Sequence, residues 1–391
     1  MRDVSIIGVG QTPVNEHYDL SLRELALRAM RAAMQDAGVE RVEALYVGNA
    51  LGGQLSRQEH LGVLLADYAG MHGIEAARVD AGEASGGAAL RQGFIAAAGG
   101  LTGRTGGAGL VMVVGVEKMT DLTTPYRLDA ETALTDREFE GEQGVTPAAV
   151  GGLLMRRYMH EYGAPLEAFE GFSVNAHANA EHNPHAMFRS RLKPGAFAAA
   201  PMVADPVTLF DIAPAGDGAA ALILCPSEMA RDLAPQPVRV AGSALATDAL
   251  PLHDRSDPLA LRAVRTAAAR ALEQAGVGID DIDVFELHDS LTVLTALQLE
   301  ACGLAARGAG WRLASTDAIT LSGRTPLSTF GGLKARGNPV GAAGVYQAVE
   351  LVLQLRGEAG ANQVGAARRG LALNVGGAGA TAVAHVLERV E

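Results

Sequence analysis

The chain has 391 residues, a formal net charge of −12, 48% hydrophobic and 19% charged residues. That length supports several packed layers in two domain-sized halves, and the acidic balance argues against nucleic acid or an anionic membrane as a partner. Glycine makes up 48 of the 391 residues against only 4% aromatics, which favours close backbone packing over stacking surfaces.

Val4 to Gly8 is apolar and ends in glycines, which predicts a buried strand rather than the core of a signal peptide. Leu22, Leu25, Ala26, Ala29, Met30 and Ala33 then recur at helical spacing behind Ser21, with Glu24 three residues on as a capping box and Gly38 as the stop. Leu45 to Val47 is the next strand. Alternation of this kind predicts a layered α/β fold. The longest apolar stretch, Gly109 to Val116, is too short to span a membrane. Two cysteines, Cys225 and Cys302, sit 77 positions apart in apolar contexts; they form neither a disulfide framework nor a zinc spacing and point to a reducing cytoplasm. Cys302 reads as core.

The chain repeats itself. S-I-I-G, a helix ending M-Q-D-A-G-V and L-Y-V-G-N are matched by V-R-V-A-G, a helix ending L-E-Q-A-G-V and V-F-E-L-H-D. G-E-A-S-G-G-A-A-L (82–90) is matched by G-N-P-V-G-A-A-G-V (337–345), and each is followed by a helix and then a strand, G-L-V-M-V-V-G or G-L-A-L-N-V-G-G. Two copies of one unit bring equivalent turns together across a pseudo-two-fold axis. The expected organisation is an N-terminal half over 1–120, completed by about 206–235, an inserted loop domain over 121–205, and a C-terminal half over 236–391. Long insertions in compact folds serve substrates or interfaces.

Several turns carry candidate chemistry. Glu83 precedes a helix, near free N–H groups and the positive helix end, where either a nucleophile, an anion or an ordinary acidic residue fits. His288 and Asp289 follow a strand end; Asp289 is also a candidate cap for the helix starting near Thr292. Asn338, before Pro339, is pushed toward extended backbone and carries an amide that donates but is no base. N-V-G-G-A-G-A (374–380) resembles an oxyanion loop rather than a phosphate loop. G-V-G (8–10) does not complete a dinucleotide fingerprint. His160, His177, His182 and His185 in the insertion are too irregular for a metal cluster, and no metal is expected.

The motifs V-S-I-I-G-V-G-Q-T-P, A-S-G-G-A-A-L, G-V-E-K-M-T-D, H-A-N-A-E-H-N-P-H-A, G-D-G-A-A-A-L, H-D-S and G-G-L-K-A-R-G-N-P-V-G-A occur in this order over nearly the whole chain. Together they resemble the thiolase superfamily, in its sterol-carrier-protein-type and archaeal acetyl-CoA acetyltransferase branch. The resemblance implies two similar halves in a five-layered α/β/α/β/α arrangement with an extended loop domain, dimers or tetramers, and substrates carried as coenzyme A thioesters, with no tightly bound cofactor. A small zinc-ribbon/OB-fold partner protein accompanies archaeal relatives. The reacting centre departs from the pattern. Glu83 stands where the family has its nucleophilic cysteine, Asn338 replaces the histidine of G-H-P, and Ser290 follows H-D where the branch often has a cysteine. His288 is retained, as is the backbone loop at Gly376 and Gly377.

A carboxylate is a poor nucleophile toward a thioester, and no neutral-pH base stands beside it for ordinary ping-pong thiolysis. Two functions remain. One is non-covalent CoA-thioester chemistry (lyase, retro-aldol or decarboxylation), with Glu83 as acid or base and His288 with Asn338 polarising the carbonyl. The other is a catalytically inactive relative that binds acyl-CoA or serves in a hetero-oligomer. The helix N-terminus is expected to favour the charged form of Glu83, with partial desolvation opposing it, and a charged Glu83 is expected to pair with the Asn338 amide and, where His288 is protonated, with that ring.

Overall fold

A computed structural model describes residues 2–100 and 109–390. Its first half contributes β1 (Val4–Gln11), β2 (Ala44–Gly48), β3 (Glu75–Val79) and β4 (Val111–Glu117). A short hairpin of β5 (Met202–Ala204) and β6 (Val207–Thr208) precedes β7 (Gly218–Pro226). The second half contributes β8 (Val238–Thr247), β9 (Val284–Glu286), β10 (Arg369–Gly376) and β11 (Thr381–Arg389).

The large sheet runs β3-β2-β4-β7-β1-β8-β11-β10-β9. In β3-β2-β4-β7-β1 the first two pairings are parallel and the next two antiparallel. Reading inward from the other edge, β9-β10 is parallel and β10-β11 and β11-β8 are antiparallel. A parallel bridge between Phe285 and Leu327 stands where the second half would carry its counterpart of β3. The two halves therefore share one topology. They join at β1 and β8 through only two residue pairs, Ser5–Arg239 and Ile6–Val238.

Side-chain alternation converts this sheet into five layers. Ile6, Val113 and Leu222 face inward onto Leu90, Val345 and Val349 of the central helices Ser85–Gly99 and Ala343–Arg356. Their neighbours Ile7, Met112 and Ile223 face outward onto Leu25 and Ala29 of the Leu22–Ala37 helix. In the second half Ala372 faces the central helices, while Leu371 and Leu373 pack outward with Val264 and Ala268 of the Arg262–Ala275 helix. Burial on both faces explains why the strands read as continuous apolar runs. The predicted capping box forms between Ser21 and Glu24, and Gly38 and Gly276 end equivalent helices in the left-handed region.

The two central helices start against each other. A Cβ on Gly86 would lie 2.9 Å from the Gly341 carbonyl oxygen, and one on Gly344 would lie 2.4 Å from the Gly87 nitrogen. Only glycine permits that approach, which brings the duplicated turns together. The segment between β4 and β7 is stapled at its neck. Buried Asp217 accepts from Lys118 Nζ at 2.8 Å and from the Met119 and Thr120 N–H groups at 2.6 and 2.9 Å. Burial pushes the Asp217 carboxyl up, but Lys118 and these donors outweigh it and hold it below its ordinary value. No helix among the described residues is long and apolar enough to cross a membrane.

Candidate active site

Glu83 lies between β3 and the first central helix. Ser85 Oγ accepts the Ala81 N–H at 2.9 Å, and Gly82 takes φ +59°, which folds residues 80–84 into a tight turn before the helix. The loop after β10 packs against this turn: a Cβ on Gly376 would lie 2.8 Å from the Ala81 carbonyl oxygen. Asn338 follows the Gly332–Arg336 turn. Its N–H donates to Pro214 at 2.8 Å, and its Oδ1 accepts the Val340 N–H at 3.0 Å, which leaves Nδ2 uncommitted to that turn. Ser290 is fixed through its carbonyl, which accepts the Ala213 N–H at 2.8 Å.

Glu83, Ser290, Asn338 and Gly377 line one cavity of about 330 Å³ between the halves. Its walls come largely from the inserted segment and the second half, through Leu128, Leu134, Val150, Leu252, Leu291 and Leu294. His288 is buried behind this wall, joined to the site through Asn374, whose Nδ2 lies 3.2 Å from the Glu83 carbonyl oxygen and 3.1 Å from His288 Nδ1.

Several expectations are corrected. The Glu83 carboxylate does not pair with Asn338 or His288; its Oε2 accepts the Gly377 N–H at 2.6 Å. The loop donor expected to hold an acyl-enzyme oxyanion is thus occupied by the Glu83 side chain. Nor is Glu83 held ionised. Burial pushes its carboxyl up to about 7 against the opposing Gly377 bond, with the Glu131 charge adding to the rise. That rise corresponds to about 3 kcal/mol, more than a helix N-terminus returns. His288 is not protonated: burial, assisted by Arg336, pushes it down to about 3. Asp289 also does not cap the Thr292–Ala301 helix, whose N-cap is Leu291. It accepts instead from the Leu333 N–H at 2.7 Å and Ser328 Oγ at 3.1 Å, orienting the turn that leads to Asn338.

Other residues of the site were not singled out in the sequence. Glu131 lines the cavity 3.8 Å from Arg127, and burial raises its carboxyl. Arg255 is buried and donates to four carbonyls: Ala249 at 2.9 Å, Leu250 at 3.2 Å, Gly377 at 2.7 Å and Ala378 at 2.8 Å. It ties the 249–250 segment to the Gly377 loop. Glu117 accepts the N–H groups of Ala50, Leu51 and Gly341, fixing the start of the second glycine turn. Of these, only Glu117 fell inside a quoted motif. Arg255 lies in an irregular segment with no periodic signal, and Glu131 lies near the end of the short Thr124–Thr132 helix. Cys302 is buried in the core, its thiol pushed up to about 12. His177 stacks on Phe188 and hydrogen-bonds to Ser190, and no group of three or more metal-ligating side chains occurs among the described residues.

The family model described as the thiolase N-terminal domain matches residues 4–228, and a thiolase C-terminal domain-like model matches 244–389. The chain belongs to the thiolase family. An acetyl-CoA acetyltransferase from Methanothermobacter thermautotrophicus is 42% identical over 391 residues, covering all of both chains. The benzoylsuccinyl-CoA thiolase subunit BbsB of Thauera aromatica is 30% identical over 97% of this chain and 96% of its own. A solved structure described as the Ltp2-ChsH2(DUF35) aldolase superposes with a TM-score of 0.85 at 24% identity, over 99% of this chain and 97% of that one. In this member of the thiolase-like acyl-CoA acetyltransferase family, the turn carrying Glu83, the G-N-P turn and the N-V-G-G loop border one cavity.

Proposed function

We propose that this protein cleaves a carbon–carbon bond of an acyl-CoA thioester without forming an acyl-enzyme, as a lyase of the retro-aldol type. The observation that carries this reading is the Gly377 N–H bond to Glu83. It occupies a donor that an acyl-enzyme would need, while burial, working against that bond, brings the carboxyl up to about 7, where a general acid–base group works best. For a β-hydroxyacyl thioester, ionised Glu83 takes the β-hydroxyl proton as the Cα–Cβ bond breaks. The electron pair moves onto the thioester as an enolate, and a carbonyl compound leaves. Protonated Glu83 then returns the proton to Cα, giving the shortened acyl-CoA. The Asn338 amide, which lines the cavity, is the donor for the enolate oxygen, and the neutral His288 ring stands behind the wall with its Nε2 unpartnered among the described residues. That the same fold occurs in a structure described as an aldolase supports the choice of lyase over decarboxylase.

The apolar walls and the volume of about 330 Å³ favour an acyl group well beyond acetoacetyl in size. A homodimer or homotetramer, and a zinc-ribbon/OB-fold partner that helps bind coenzyme A, complete the proposal. The structure described as an Ltp2-ChsH2(DUF35) aldolase and the relative described as a subunit both support a partner chain.

The purified protein is incubated separately with bulky β-hydroxyacyl-CoA thioesters, with acetoacetyl-CoA plus CoA, and with malonyl-CoA, in the presence and absence of such a partner. Release of a ketone or aldehyde from the first alone is expected. Robust thiolysis of acetoacetyl-CoA would overturn the proposal, and inertness in every arm would favour an acyl-CoA-binding subunit.

A further inference from the structure

Asn374 stands on β10 and is 1% exposed. Its Oδ1 accepts the Gly87 N–H at 3.0 Å, so the amide orientation is set by an obligate backbone donor. Glycine at 87 permits the approach, since a Cβ there would lie 3.0 Å from Asn374 Cβ. With Oδ1 so placed, Nδ2 faces the Glu83 carbonyl oxygen at 3.2 Å and His288 Nδ1 at 3.1 Å. The flipped amide would set donor against donor at Gly87 and acceptor against acceptor at Glu83. An N–H directed at an imidazole nitrogen bonds only to a lone pair, so Nδ1 must be the unprotonated nitrogen. The main chain of His288 is held as firmly. Gln298 Oε1 accepts its N–H at 3.0 Å, and Gln298 Nε2 donates to its carbonyl at 2.8 Å. Nε2 of the ring is buried and meets no hydrogen-bond partner among the described residues.

We propose that Asn374 is a positioning residue that fixes His288 as the tautomer carrying its proton on Nε2. The ring is then a neutral donor whose one free N–H has no competing protein acceptor, suited to an oxyanion rather than to proton transfer. One chain of hydrogen bonds, from Gly87 through Asn374 to His288, couples the first central helix to the second half of the site. The tautomer stands on the geometry alone; its catalytic consequence rests on the lyase reading.

Neutron diffraction from deuterium-exchanged crystals of the full chain locates the deuteron directly. Density on His288 Nε2 and not on Nδ1 is expected, and density on Nδ1 would overturn the proposal whether or not the protein is a lyase. In Asn374→Asp, a near-isosteric change, the carboxylate accepts from the ring and the deuteron is expected on Nδ1. Cleavage of a β-hydroxyacyl-CoA that the unmodified protein accepts should then fall about a hundredfold in kcat, with KM changed by less than about twofold. An unchanged tautomer in that variant would also refute the assignment. If the variant does not fold, the unmodified protein's deuteron position still decides.

Discussion

The backbone N–H of Gly377 and the carboxylate of Glu83 meet at 2.6 Å, across the junction of the two halves. Each belongs to a glycine turn of the duplicated unit, and their contact shapes the chemistry of the cavity. It fills the loop donor and anchors the Glu83 carboxyl at the cavity that Asn338 also lines, with His288 buried behind the wall.

Glu83 should impose a pH dependence that Glu83→Gln removes. Its folded value of about 7 lies above the ordinary 4.5, so between these pH values the folded state binds more protons than the unfolded state. Stability contributed by this group therefore falls as pH rises from about 4.5 through about 7. The melting temperature of Glu83→Gln relative to the unmodified protein is expected to rise between pH 5 and pH 8. In the lyase reaction kcat should rise through a transition near neutrality, and Glu83→Gln should lower kcat by a factor of about 100 or more. A constant melting difference would show that the carboxyl titrates normally.

Restoring a thiol alone should not restore thiolysis. In Glu83→Cys, Asn338 cannot take the thiol proton, and its Oδ1 remains engaged by the Val340 N–H. Combining Glu83→Cys with Asn338→His supplies a base and frees the Gly377 N–H from the carboxylate. Slow thiolysis of acetoacetyl-CoA is expected from the double variant and none from the single one, measured by loss of the substrate's enolate absorbance.

Arg255→Met should leave four carbonyls without their donor, those of Gly377 and Ala378 among them. Buried unsatisfied polar groups cost about 1–3 kcal/mol each. Urea denaturation should therefore show a loss of about 3 kcal/mol or more. Where the variant is folded, kcat should fall more than KM rises, because the loop that holds Glu83 is no longer braced.

The cavity wall sets the acyl size. Ala148 lines it from the Pro147–Tyr162 helix. Ala148→Phe is expected to abolish turnover of bulky acyl-CoA thioesters while leaving short ones bound, as read by competition for a fluorescent acyl-CoA. Equal loss for both would place the acyl group elsewhere.

The duplication, the strands with their matched helices and the meeting of Glu83 and Asn338 at one cavity were legible in the sequence, whereas His288, expected in the same pocket, is buried behind its wall. They follow from local rules: apolar runs buried on both faces, capping residues, and glycine where two helix starts meet. His288 was legible as a site residue, but its partner Asn374 was not, because that hydrogen bond joins residues 86 positions apart in the chain. Arg255 escaped because its irregular segment has no period to read, and Glu131 because its place beside Glu83 on the cavity wall is a tertiary relationship. The balance at Glu83 was not legible, because a helix dipole is visible in a sequence whereas the degree of desolvation that outweighs it is not. Sequence alone determined the α/β layering and the duplicated turns, because apolar runs, caps and glycines are local signals. Only the tertiary structure decided that the Gly377 N–H goes to Glu83, that burial outweighs the dipole there, and that His288 stays neutral, because each depends on what surrounds the group in space rather than along the chain.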